Sequence, residues 1–282
     1  MTISESYAWC EQVARTQAKN FYYSFLLLSA PQRHGMCAIY AFMRYCDDLS
    51  DDEGIPDRAA AIARWKQDVE QALSGGPHSD HAVWPAFLDT VDRYKIPHQY
   101  FFDMITGVSS DLEPRRIQTF EELYGYCYHV ASVVGLTIIH IFGFDDPPGQ
   151  PGKTLELAEK CGIAFQLTNI IRDVREDAGK QRVYLPAEDF ARFGVSADTF
   201  EPQEKFLEMM RFEGDRAQAY YREAIPLIDL IHPQSRASMR ALIGIYSRLL
   251  DHIVASNYDV LAKRIRVPTW EKLWVLAKSA VG

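Results

Sequence analysis

Gly162-Ile-Ala-Phe-Gln166-Leu-Thr-Asn169-Ile-Ile-Arg172-Asp173-Val-Arg-Glu176-Asp177 is the stretch whose reading decides the fold. Its apolar residues, Ile163, Phe165, Leu167, Ile170 and Ile171, recur at a helical period and leave no alternation for a strand. Gln166, Asn169, Asp173 and Asp177 are spaced 3-4-4, so they line one face of that helix. A polar stripe on an otherwise apolar helix is costly to bury unless partners, water or an ion satisfy it.

A second stripe lies upstream, in Tyr40-Ala-Phe-Met-Arg44-Tyr-Cys-Asp47-Asp48-Leu-Ser-Asp51-Asp52-Glu53. Tyr40, Arg44, Asp47 and Asp51 follow a 4-3-4 spacing and share one helical face. Five of the last seven residues are acidic, at a helix end that already carries partial negative charge. Like charges at i,i+4 cost on the order of 0.2–0.5 kcal/mol more. A bound cation would offset both terms. Alone, the segment reads equally well as a solvated acidic helix end. Two stripes, each ending in Asp-x-x-x-Asp, point to chemistry. An EF-hand is excluded, because placing Gly54 at its turn puts Leu49 where the first ligand belongs.

Outward from these two helices the helical period continues, over roughly 5–28, 31–50, 57–74, 80–94, 98–111, 119–143, 152–177, 200–230, 233–258 and 268–280. Breaks fall at Gly54-Ile55-Pro56, Ser74-Gly75-Gly76-Pro77, Asp145-Asp146-Pro147-Pro148-Gly149 and His232-Pro233. No strand-type alternation or linker stands out, and 178–186 reads as irregular. The expectation is one all-α domain over 1–282.

Hydrophobic residues make up 48% and charged residues 24% of the 282, an ordinary globular balance. A net charge of −8 without a basic run argues against nucleic acid as partner. Five scattered cysteines form no CxxC pair, so neither a disulfide framework nor a zinc site is expected, and a reducing cytoplasm fits. Residues 1–9 lack the order of a signal peptide. The most apolar stretch, 130–144, is short for a bilayer span and holds Gly135 and His140. Leu273, Trp274, Val275 and Leu276 leave peripheral membrane contact open, although docking on the protein's own core is favoured over it.

The chemistry that needs such carboxylates is that of a diphosphate. Magnesium binds through one or two carboxylates while bridging to substrate phosphates, and as a Lewis acid it makes diphosphate a competent leaving group. Asn169 and Gln166 would add neutral oxygens deeper along the face. A di-iron bundle wants Glu-x-x-His, and no histidine has a glutamate three residues before it. Neither a Gly-x-Ser-x-Gly elbow, a P-loop nor a Gly-x-Gly-x-x-Gly fingerprint occurs.

At these residues the sequence resembles the squalene/phytoene synthase family of head-to-head prenyltransferases. The matching elements run in family order. They are Asn20-Phe21-Tyr22-Tyr23, Ala38-Ile39-Tyr40-Ala41-Phe42 leading into Arg44 and Asp47, Tyr126-Cys-Tyr-His-Val130-Ala131-Ser-Val-Val-Gly135, the Gln166–Asp177 stripe, and Arg182-Val-Tyr184-Leu-Pro186. The resemblance implies an isoprenoid synthase-type helical bundle with a central cavity. In it Asp47 and Asp51 would face Asp173 and Asp177 and, with Asn169, hold magnesium and the diphosphates. It also implies that Arg44, Arg172, Arg182 and Arg264 meet phosphates or those aspartates. Tyr40, Tyr126, Tyr184 and Tyr246 would surround the reacting carbons. Asn20, Gln166, Phe21, Val130, Ala131, Val134, Gly135 and Leu136 would contact the substrates or line tunnels for their tails. Two departures, Ser29-Ala30-Pro31 for a Leu-Pro turn and Gln181 for a glycine, bear on loop shape.

Three readings stay open at this point. The favoured one couples two farnesyl diphosphates to a presqualene diphosphate or squalene-type C30 product. The alternative uses geranylgeranyl diphosphate to give phytoene. The third is a non-catalytic relative that binds or assembles. NADPH use and oligomeric state are not legible in the sequence.

Overall fold

Helices form where the apolar period runs and stop at the breakers. The computed structural model describes residues 1–18, 21–52 and 54–281. In chain order its elements are α1 (Ile3–Gln17), α2 (Phe21–Phe25), α3 (Ala30–Asp51), α4 (Arg58–Leu73), α5 (Trp84–Tyr94), α6 (Gln99–Ser109), a short strand β1 (Arg115–Arg116), α7 (Phe120–Cys127), a π-helical turn (Tyr128–Ser132) and α8 (Val133–Phe142). Then come α9 (Lys153–Gly179), β2 (Arg182–Val183), α10 (Ala187–Phe193), α11 (Gln203–Ala224), α12 (Leu227–Leu230), a 3-10 turn (Pro233–Ser235), α13 (Arg236–Ala255) and α14 (Thr269–Val281).

The 27-residue α9 carries the Gln166–Asp177 stripe and, at 1.5 Å per residue, runs about 40 Å. It is the central helix, packed by α11, α8, the π turn, α13 and α7. Leu157, Cys161, Ile163, Leu167, Ile170 and Ile171 bury its apolar sides. The other stripe-bearing helix, α3, is anchored from behind by an aromatic cluster. Phe42 stacks on Phe87 at 4.2 Å and meets Trp65 at 5.7 Å and Phe101 edge-on at 5.4 Å. Such contacts fix which face of α3 turns inward, because Phe42 and Cys46 lie opposite Tyr40, Arg44 and Asp47. Pro31 sits in the first turn of α3, where its missing N–H is no loss, and Ser29 Oγ donates to Gln32 Oε1 at 2.9 Å.

The structure departs from the sequence reading in five places, one of them the turn at Ile225 and Pro226 that divides the expected 200–230 helix into α11 and α12. The expected helix over 5–28 is two helices, α1 ending at Gln17 and α2 beginning at Phe21. The one over 119–143 is interrupted by the π turn; a one-residue insertion into a helix carries no breaker to announce it. The segment 178–186 holds β2, which pairs in parallel with β1 in the register Arg115↔Arg182 and Arg116↔Val183; two residues are too few to alternate. Helix α10 follows where no helix was expected. Gln181 takes the left-handed conformation, φ 59°, that a glycine would adopt freely. All five cysteines are buried and free.

Phe120–Phe142 is long and apolar enough to cross a membrane, but over half of its apolar window lies inside the molecule. Its middle is held closely against α9. A Cβ on Gly162 would lie 2.5 Å from Ser132 Cα and 2.7 Å from Ser132 N. Gly162→Ala therefore forces backbone apart. We expect it to cost about 1–3 kcal/mol, seen as a lowered thermal midpoint; an unchanged midpoint would show that the two segments are not in this contact.

Candidate active site

Between α3 and α9 lies an apolar cavity of about 270 Å³. Helix α3 contributes Met36, Ile39, Tyr40, Met43, Arg44 and Asp47, and α9 contributes Ala158, Cys161, Gly162, Phe165, Gln166 and Asn169. The π turn and α8 present Val130, Ala131, Val134, Gly135 and Ile138, while Phe21 and Tyr246 close the remaining side. Leu136, expected in this wall, is instead buried at 4% exposure and is not among the lining residues; it falls off the helical face that the others share. Gly135 lines the cavity and also lets α9 approach, since a Cβ there would sit 3.2 Å from the Ala158 carbonyl oxygen.

The cavity opens into a polar vestibule of about 1060 Å³ that shares Phe21, Tyr40, Arg44, Asp47, Asn169 and Tyr246 with it. Five arginines line the vestibule, Arg15, Arg44, Arg172, Arg264 and Arg266, together with Lys272. The chain is acidic as a whole, so this local excess of cations marks an anion site. Tyr246 is held by Phe165, stacked at 4.3 Å, and by Phe21 at 5.4 Å. Burial pushes the Tyr40 and Tyr246 hydroxyls up to about 12, so both stay protonated donors.

The four aspartates are not equivalent. Asp173 is paired with Arg172, whose Nε donates at 2.8 Å, and with Arg264 at 3.0 Å. Arg264 also meets Glu176 at 2.6 Å, and Arg175 donates to the Leu261 carbonyl at 2.7 Å, so the chain before α14 is fastened to the acidic end of α9. Asp51 meets Arg182 at 3.5 Å. Asp47 and Asp177 make no ion pair with a described residue. Asp47 is exposed to the vestibule, but the protein packed around its carboxylate displaces part of the water that would solvate it. That desolvation, with Asp51 and Asp48 near and only partly opposed by Arg44, raises its pKa to about 7. Asp177 is raised to about 7 by burial first, then by Asp173 and Glu176. Arg182 stands between the pairs, touching Asp51 and favouring ionisation of Asp177. Arg44 forms an ion pair with Asp48 at 2.5 Å.

Tyr126 and Tyr184 are not brought to the cavity. Their rings stack at 4.7 Å, each is 6% exposed, and both hydroxyls donate to one carboxylate, Asp111, at 2.9 and 2.8 Å. The Asp111 carbonyl accepts from Arg182 Nη2 at 2.5 Å. Asp111 thus holds the arginine that meets Asp51. The sequence reading missed it, because a single acid at the end of α6 has no spacing to distinguish it. Asn20 lies outside the described residues.

Among the described residues no three acidic, histidine or cysteine side chains converge on one point. Magnesium takes one or two carboxylates and completes its shell with water and substrate oxygens, so it does not require such a cluster. The donor chemistry fits. Asn169 Oδ1 is buried without a hydrogen-bond donor, while Asn169 Nδ2 donates to Gln166 Oε1 at 3.4 Å. An orphaned oxygen lining the same cavity mouth as the unpaired Asp47 is a donor set that a cation would satisfy.

The squalene/phytoene synthase family model matches residues 14–271. The 15-cis-phytoene synthase of Synechococcus elongatus is 39% identical over 96% of this chain and 91% of its own length. The phytoene synthase of Arthrospira platensis is 36% identical over 98% and 92%. Among solved structures, a dehydrosqualene synthase superposes with a TM-score of 0.88 at 28% identity, covering 98% of this chain and 96% of that one. Squalene synthase HpnC from Alicyclobacillus acidocaldarius gives 0.82 at 25%, covering 91% and 95%.

The raised carboxylates make a pH-dependent prediction. Asp47 and Asp177 titrate near 7 when folded, against the ordinary 3.8. Between these values the folded state holds protons that the unfolded state releases, so the two groups lose stability for the fold as pH rises from about 4 to 7. A divalent cation removes that penalty only where the carboxylates are ionised. Magnesium should therefore raise the thermal midpoint more at pH 8 than at pH 6; an equal rise would separate the cation from these aspartates.

Proposed function

The chain belongs to the squalene/phytoene synthase family, and we propose that it couples two geranylgeranyl diphosphates head to head, with magnesium, to phytoene. The observation that carries diphosphate coupling is one continuous space, apolar at its closed end and lined by cations and Asp47 at its mouth. A prenyl tail fits the first part and a diphosphate the second. The chain length rests on the relatives: those at 39% and 36% identity are named phytoene synthases. The sequence reading favoured two farnesyl chains. Its support is now the dehydrosqualene synthase likeness at 28% identity, and the higher identity outweighs it.

Magnesium, when bound, would supply Lewis-acid neutralisation of the departing diphosphate. More than one ion would be held: Asp47 and Asn169 Oδ1, which share the cavity mouth, could contribute to one, and Asp177, about two turns farther along α9, to another; Asp51 and Asp173 would join as their arginines turn to phosphate. Arg172, Arg264, Arg44 and Arg182 would orient the diphosphates through their planar forks. The Tyr246 and Phe165 faces stand where an allylic cation could be stabilised by ring quadrupoles. Met43, Val134 and Phe21 would exclude water that would quench it. Tyr126, Tyr184 and Asp111 are positioning residues, acting through Arg182. The route balances without a reductant. Loss of one diphosphate and one proton gives the cyclopropylcarbinyl diphosphate, and loss of the second diphosphate and another proton gives phytoene.

The test is incubation of purified protein with magnesium and either geranylgeranyl or farnesyl diphosphate, followed by extraction. A C40 hydrocarbon formed faster than any C30 product is expected without NADPH. A C30 product alone would restore the farnesyl reading, and no coupled product from either would sink the enzyme reading. Asp47→Asn and Asp173→Asn should each lower turnover on the order of 10²–10³-fold; full activity in both would refute the two-face mechanism.

A further inference from the structure

The outward face of α14 is apolar: of the four residues expected to dock on the core, Val275 does and Leu276 is half-buried, while Leu273 and Trp274 face out. Val275 and Ser279, each 6% exposed, pack inward on α13. Gly244 permits this, since a Cβ there would lie 2.9 Å from Val275 Cγ1. Trp270, Leu273 and Trp274 face out at 67%, 52% and 48% exposure, and their i, i+3, i+4 spacing makes one stripe. Beside it runs a groove of about 540 Å³ between α13 and α14, lined by Arg240, Arg248, Lys278, Ser247 and one acid, Asp251. Arg248 and Lys278 flank the Trp274 ring at 5.3 and 5.4 Å. Arg240 Nε is buried with no hydrogen-bond partner. None of the three cations makes an ion pair with a described residue, in a chain of net charge −8.

We propose that this face is a docking surface for an anionic lipid bilayer, with the tryptophan stripe entering the interface and the groove receiving phosphodiester headgroups. Tryptophans at an interface, bordered by arginine and lysine, are the pattern of a helix lying in the membrane plane. A second copy is a poorer occupant. A two-fold contact here would bring unpaired cations toward like cations, and one exposed helical stripe is small beside the roughly 800 Å² that each partner buries in a stable dimer. The start of α14 gives a consequence. Pro268, Thr269 and Lys272 form part of the vestibule wall, as does Leu26, itself 47% exposed. Docking would set the vestibule mouth at the membrane, so that prenyl tails and an insoluble product need not cross water. That consequence rests on the proposed function; the binding does not.

Vesicle flotation of the full chain tests it, with phosphatidylcholine alone and with added phosphatidylglycerol. Three cations near an anionic surface should give a preference on the order of a hundredfold for the anionic vesicles, lost at high salt. Arg248→Gln with Lys278→Gln should remove most of that preference, and Trp270→Ser with Trp274→Ser should weaken binding to both vesicles. Unchanged far-ultraviolet dichroism and unchanged turnover on detergent-dispersed substrate would show that these variants remain folded. Equal binding to both vesicles, or parent-like binding by the variants, overturns the proposal. Displacement by millimolar glycerol phosphate would assign the groove to a soluble phosphate, and a dimer split by the tryptophan variants would assign the stripe to a second copy; either result also overturns it. Because no turnover is read in the flotation, a failed coupling assay leaves this outcome unaffected.

Discussion

Two carboxylates without a guanidinium partner, Asp47 at the mouth of the apolar cavity and Asp177 farther along α9 beside Arg182, are the constraint on which the rest of the structure depends. Asp47 and Asp177 reach half-protonation only near pH 7. A fold that wanted stability alone would place neither there. The neighbouring arginines divide the acids between them, satisfying Asp51 and Asp173 and leaving one acid on each helix without a guanidinium. The same stretch of α9 adds Asn169 Oδ1, buried and unmet. A positive charge from outside the chain would complete the site, the role that the proposed function gives to magnesium.

Around this imbalance, packing sets the orientation of the site's side chains. The Phe42 cluster fixes the rotation of α3 from behind, and Phe165 with Phe21 fixes Tyr246. Gly162 lets α9 lie against the π turn that presents Val130 and Ala131 to the cavity. A π turn adds one residue to the helix, so the residues after it are rotated about its axis. Asp111, Tyr126 and Tyr184 form a buried hydrogen-bonded unit whose outward product is the position of Arg182.

Much of this was legible in the sequence, and the physical reason is periodicity. The 3-4-4 and 4-3-4 spacings of polar residues on apolar helices predict shared faces, and Tyr40, Arg44, Asp47, Gln166 and Asn169 do line one cavity. What the spacing could not carry was rotamer and partner. Nothing local tells that Arg264 reaches Asp173 across 91 positions, or that Tyr126 and Tyr184 turn to Asp111 instead of the cavity. The π turn and the two-residue strands were likewise invisible, being too short to impose a period. Leu273 and Trp274 look like core residues by composition, and only the packing of α14 shows that they face out.

The central claim is that the two acidic helices act as one cation-diphosphate site. It is tested most directly by calorimetric binding of a prenyl thiolodiphosphate, which resists ionisation, with and without magnesium, to the parent, Asp47→Asn, Asp177→Asn and the double variant. If the two helices share one site, either single substitution removes most of the magnesium-dependent part of the affinity, and the double variant loses little more. Additive losses, or a magnesium-dependent affinity that survives in the double variant, would contradict the account.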